Sequence, residues 1–127
     1  MSNGGIPIPG QRRKQVLPSP PTPLPKVKVV KLSIVNIIMP SANTEYSWQL
    51  PVGLKSFTLH VRDGTAIRIS TFSDKVAGSN EPYFTLKTDT SWTKEDLDVQ
   101  GADSFLYFAC GTAGKVIEIL VEVEQWV

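Results

Sequence analysis

Residues 54–72 read LKSFTLHVRDGTAIRISTF. Two runs in which apolar and polar side chains alternate flank Asp63-Gly64, and alternation with a period of two is the signature of a half-buried β-strand. A two-residue Asp-Gly loop would set Leu59 opposite Arg68 and Phe57 opposite Ser70, mixing apolar and polar side chains on one face. A three-residue loop of Arg62-Asp63-Gly64, with Gly64 left-handed, instead sets Val61 opposite Thr65, Leu59 opposite Ile67 and Phe57 opposite Ile69. The stretch therefore predicts a hairpin with one apolar face, leaving Thr58, His60 and Arg68 outside.

The same texture extends in both directions. Upstream, Val30, Leu32 and Ile34 alternate with Lys31 and Ser33 before the apolar phase shifts to Val35 and Ile37, which predicts a strand with a bulge near Ile34. Pro40 to Thr44 ends it, and a short strand through Tyr46, Trp48 and Leu50 closes at Pro51-Val52-Gly53. Downstream, Phe84 and Leu86 mark a strand after a loop over 73–82. Residues 91–98 read as a loop holding Trp92 and Leu97 inward, because no 3.6-residue period follows Thr93. Ser104 to Cys110 is nearly all apolar, as in a strand covered on both sides, and Gly111 to Gly114 makes a hairpin turn. The last strand, Lys115 to Val127, sets Ile117, Ile119, Val121 and Val123 against Glu118, Glu122 and Glu124, whose charge discourages edge-to-edge association. About seven strands with no long helix and no repeat specify an all-β domain, a β-sandwich or jelly-roll-like barrel, over residues 26–127.

The 127 residues, 41% hydrophobic and 20% charged, suffice for one core and not two. One cysteine, Cys110, rules out an internal disulfide and suits a reducing cytoplasm. Met1 to Gly10 has no apolar run, so neither a signal peptide nor a membrane span is expected. The net charge of +1 conceals a division: residues 1–44 carry six bases and no acid, while 45–127 carry seven bases and all twelve acids. Seven of the ten prolines lie in the first 25 residues. Proline fixes φ and lacks a donor, so residues 1–25 are expected to form an extended, basic arm reaching on the order of 75 Å. An arm of that charge calls for an acidic partner.

Little in the sequence carries chemistry. His60 and Cys110 could form a nucleophile pair, but His60 falls on a polar strand face and Cys110 ends an apolar strand, where a thiol packs as a small hydrophobe. Asp96, Asp98 and Asp103 lack the spacing of a calcium loop, and residues 111–115 are too short for a phosphate loop. The pairs that Asp63, Glu95 and Asp96 could make are those of any solvated strand face. No catalytic residue, cofactor or metal is expected. The partner-binding candidates are Arg12, Arg13, Lys14, Pro18, Pro20, Pro21, Pro23, Pro25 and Lys26 in and beside the arm, with Trp126 at the far end of the chain. The basic cluster lacks interleaved aromatic residues, which favours protein docking over nucleic acid.

The phrases Ala66-Ile67-Arg68-Ile69, Pro82-Tyr83-Phe84-Thr85-Leu86-Lys87, Ser91-Trp92, Leu106-Tyr107-Phe108-Ala109 and Thr112-Ala113-Gly114-Lys115-Val116-Ile117-Glu118-Ile119 resemble a group of small tailed-bacteriophage virion proteins. The resemblance covers residues 54–127 and implies a β-sandwich component of a virion, made in the host cytoplasm. Capsid decoration is the leading role and a neck or tail adaptor or ring the second; the partners implied are the major capsid protein or other virion proteins, or further copies of the chain as a homo-oligomer. From the residues alone, a carbohydrate-binding module using Trp48, Tyr83, Trp92 or Trp126 as a stacking platform is the competing expectation.

Overall fold

A computed structural model describes residues 26–127. Eight strands run β1 (Lys28–Met39), β2 (Tyr46–Gln49), β3 (Leu54–Val61), β4 (Ile67–Ser70), β5 (Phe84–Leu86), β6 (Ser91–Lys94), β7 (Phe105–Ala109) and β8 (Lys115–Trp126). They form two antiparallel four-stranded sheets, ordered β1-β8-β3-β6 and β2-β7-β4-β5. This is the strand order of a double-sheet jelly roll, within the fold class the sequence predicts. The strand beyond the expected seven is β6. Its outward residues, Ser91 and Thr93, are polar, and only Trp92 marks its inner face.

The Asp63-Gly64 turn does not close a hairpin. Gly64 does take the left-handed conformation, at φ 82°, and Phe57, Leu59, Val61, Ile67 and Ile69 are all buried. Yet β3 pairs with β6 and β8, whereas β4 pairs with β5 and β7. The chain crosses from one sheet to the other at this turn, and the two apolar faces meet across the core instead of lying side by side. Gly111 to Gly114 likewise bridges sheets, joining β7 to β8. Among the described residues, the one pair of consecutive strands that hydrogen-bonds is β4–β5, in which Ile67 faces Leu86 and Ile69 faces Phe84.

Between the sheets lie Met39, Leu54, Leu59, Ile67, Ile69, Phe108, Ile117 and Ile119, all fully or almost fully buried. Four aromatic rings run in edge-on contacts from this core out to the exposed Phe84. Trp48 meets Phe57 at 5.4 Å, Phe57 meets Trp92 at 5.1 Å and Trp92 meets Phe84 at 4.9 Å. Edge-to-face packing aligns the positive ring edge of one residue with the negative face of the next, so the row ties β2, β3, β6 and β5 together. β7 is central in its sheet but covered on its inner face only. Phe105 and Tyr107 lie half-buried on the outside, stacked at 6.1 Å.

β1 carries no bulge at Ile34. Its register with β8 is continuous from Lys28 opposite Trp126 to Met39 opposite Lys115, and the register shift lies instead in β3, between Leu54 and Ser56. The change of apolar phase has another cause: β1 is apolar on both faces. Val35, Ile37 and Met39 turn inward, and Val30, Leu32, Ile34 and Ile38 turn outward. β8, expected to use its glutamates as edge protection, is an inner strand between β1 and β3.

Candidate interaction surface

The arm candidates Arg12, Arg13, Lys14, Pro18, Pro20, Pro21, Pro23 and Pro25 lie outside the described residues. The body begins at Lys26, which is exposed. Its root is tied to the other end of the chain: the Val127 amide donates to the Val27 carbonyl at 3.0 Å, and the Val27 amide returns a longer bond to Val127. Trp126 keeps the outward parity of the glutamates, as expected, and is 60% exposed. The Lys28 ammonium lies 5.1 Å from its ring centre and 3.0 Å from the Glu124 carboxylate. Trp126 and the start of the body thus share one end of sheet β1-β8-β3-β6.

The outer face of that sheet divides into two zones. Over β3 and β8 the polar side chains satisfy one another. His60 Nε2 lies 2.8 Å from Glu118 Oε1, and the Arg62 guanidinium donates to Glu118 Oε2 at 2.7 Å. These contacts, the His60 hydrogen bond foremost, hold the Glu118 carboxyl below the usual glutamate range. Ser56 donates to Glu122 at 2.7 Å, and the Thr58 and Thr93 hydroxyls meet at 2.9 Å. Over β1 the face is apolar from Val30 to Ile38, interrupted by Asn36. Val30, Leu32, Ile34 and Ile38 form a stripe 54–72% exposed, broadened by Leu120 on β8, which sits opposite Ile34. Sequence reasoning missed this stripe. Its signal was the run of apolar residues at both parities of β1, which fits a strand with two apolar faces as well as it fits a bulge.

The other candidates separate. His60 is on the solvent face, while Cys110 is fully buried beside the Ala66 carbonyl. Among the described residues no three His, Cys, Asp or Glu side chains gather to hold a metal. Trp48 is buried, Trp92 is packed edge-on between Phe57 and Phe84, and Trp126 stands on the outer face. The three tryptophans therefore do not share one surface, and Trp126 is the exposed one. Asp63 and Lys115 pair at 2.6 Å where the two intersheet turns meet, and this bond, with those from Thr65, lowers the Asp63 pKa to about 2.

No family model and no curated protein matches this chain. One solved structure is similar, from work titled "Bacillus endospore appendages form a novel family of disulfide-linked pili". It covers 87% of this chain and 97% of its own at 13% identity and a TM-score of 0.45, too distant a likeness to carry function. The resemblance to phage virion proteins has no counterpart in these comparisons. An all-β sandwich with an exposed apolar edge strand is the class that the fold and surface define.

Proposed function

We propose that this chain is a non-enzymatic structural subunit of a bacteriophage particle, its sandwich decorating the capsid while residues 1–25 dock on neighbouring capsid subunits. The observation that carries this reading is that two contact features follow one another along the chain. A basic, proline-rich segment joins the body at Lys26, and the strand that follows it exposes an apolar stripe. Isolated exposed apolar residues are ordinary on a soluble domain, whereas a contiguous stripe marks a contact surface. Prolines reduce the entropy lost when such an arm is ordered on a partner, and arm and body binding together act as one multivalent clamp. The six bases among the first 44 residues, unopposed by acid, suit an acidic docking surface.

Reversing Arg12, Arg13 and Lys14 to Glu in the full chain is expected to leave the body folded and abolish particle binding. Retained binding would refute the role of the arm. Copies per purified particle, counted by mass spectrometry against the major capsid protein, test the location: on the order of hundreds supports decoration, about a dozen supports a ring. A neck or tail adaptor or ring is the second reading, which the copy count separates from decoration. The disulfide linkage named for the pilus has no ready equivalent, since the sole thiol, Cys110, is buried.

A further inference from the structure

We propose that two copies of this chain pair antiparallel through the edge of β1 that is free among the described residues, so that their β1-β8-β3-β6 sheets become one continuous sheet about a twofold axis. This inference does not rest on the phage reading.

The backbone of β1 is set for such addition. Val27 and Val127 exchange both hydrogen bonds, and the register from there to Met39 is unbroken. In an antiparallel ladder, alternate residues point both backbone groups at the same neighbour. The odd residues of β1 therefore bond to β8, while Lys28, Val30, Leu32, Ile34, Asn36 and Ile38 turn their N–H and C=O groups away from the sheet. Four of these six also form the exposed apolar stripe. Among the described residues, one set thus presents unpaired backbone groups and uncovered apolar side chains together.

The other sheet edges lack this character. β2, β5 and β6 have four, three and four residues, and short strands are one means by which sheets limit edge-to-edge pairing. β1 has twelve residues, no proline and no register shift, and its two charges, Lys28 and Lys31, both lie near its N-terminal end.

Charge and area select the occupant. The stripe exposes roughly 500 Å² over a width of about one strand, short of the ~800 Å² per partner of a stable face-to-face contact. A strand laid along the edge adds about ten ladder hydrogen bonds to that burial. The longest proline-free stretch of the arm, residues 10–17, carries Arg12, Arg13 and Lys14 and no acid, so it would bring bases against Lys28 and Lys31. A second β1 is the better complement. Antiparallel pairing centred on Ile34 puts Val30 opposite Ile38 and Leu32 opposite Asn36 of the second copy. It also sends the two Lys28–Lys31 clusters to opposite ends, and a contact of this kind closes as a dimer.

The test uses the full chain. Sedimentation equilibrium over a concentration series is expected to show a monomer–dimer equilibrium, and hydrogen exchange to show protection of the Val30, Leu32, Ile34, Asn36 and Ile38 amides that rises with concentration. Ile34→Lys places two like charges at the axis and is expected to weaken the dimer about a hundredfold or more. Its effect on the melting temperature should be small because the side chain is exposed. Leu32→Pro removes an N–H aimed at solvent, sparing the β1–β8 bonds while blocking addition. A monomer at every concentration would overturn the proposal. So would a dimer indifferent to both substitutions, or protection of the even-numbered amides that is independent of concentration and lost when Arg12, Arg13 and Lys14 are reversed, which would make the arm the occupant.

Discussion

Gly53→Ala tests how the β2–β3 turn is seated against β8, because two separable penalties fall on it. Gly53 sits at φ 87°, and an added Cβ would lie 2.5 Å from the Glu124 carbonyl oxygen and 3.3 Å from Val123 Cγ1. A left-handed conformation costs a residue with a Cβ roughly 1–2 kcal/mol relative to glycine. The carbonyl is backbone of an inner strand, so it cannot swing aside as a side-chain tip would. Relief requires moving the turn away from β8, which endangers the hydrogen bonds Glu124 N–H to Gly53 C=O at 2.8 Å and Gly53 N–H to Val99 C=O at 2.7 Å. With about 1 kcal/mol for each bond weakened, the total comes to roughly 2–4 kcal/mol. Two other glycines separate the terms. Gly114 has φ 81° with nothing within 4 Å of a Cβ, so Gly114→Ala carries the conformational cost alone, roughly 1–2 kcal/mol. Gly111 has neither positive φ nor a close neighbour, so Gly111→Ala should change stability by less than about 0.5 kcal/mol. Urea unfolding of the three full-length variants, followed by tryptophan fluorescence, should rank them Gly53, Gly114, Gly111 in decreasing loss with unchanged slope. Equal losses at Gly53 and Gly114 would refute the steric part of the reasoning.

The Asp63 carboxyl, lowered to about 2 chiefly by the Lys115 hydrogen bond, contributes stability that is present above its unfolded value near 3.8 and lost as pH falls toward 2. Asp63→Asn should flatten this part of the pH–stability profile, and a carboxyl titration with its midpoint near 3.8 in the wild-type chain would contradict the pairing. Cys110, fully buried, should react with a thiol reagent only as the chain opens, so native labelling should be slower than labelling in denaturant by orders of magnitude, and equal rates would place the thiol at the surface.

Local features were legible in the residues: which side of each run faces inward, and where the chain must turn. Phe57, Leu59, Val61, Ile67 and Ile69 are buried, Thr58, His60 and Arg68 face outward, and Gly64 is left-handed, all as alternation and turn chemistry required. The charge of the arm is also a property of the sequence alone. Which strands are neighbours is a property of the folded molecule. A hairpin and a crossing between sheets present the same alternation and the same turn glycine, because in both the apolar faces of the two strands share one core. The choice rests on pairings distant in sequence, such as β1 with β8 and β3 with β8, which no local pattern encodes. β6 escaped notice for the same reason, since a short strand with one inward tryptophan takes its identity from β3 alongside it. The exposed stripe of β1 required the whole fold as well. Val30, Leu32, Ile34 and Ile38 are indistinguishable in sequence from core residues, and they lie outside because sheet β2-β7-β4-β5 covers only the opposite face.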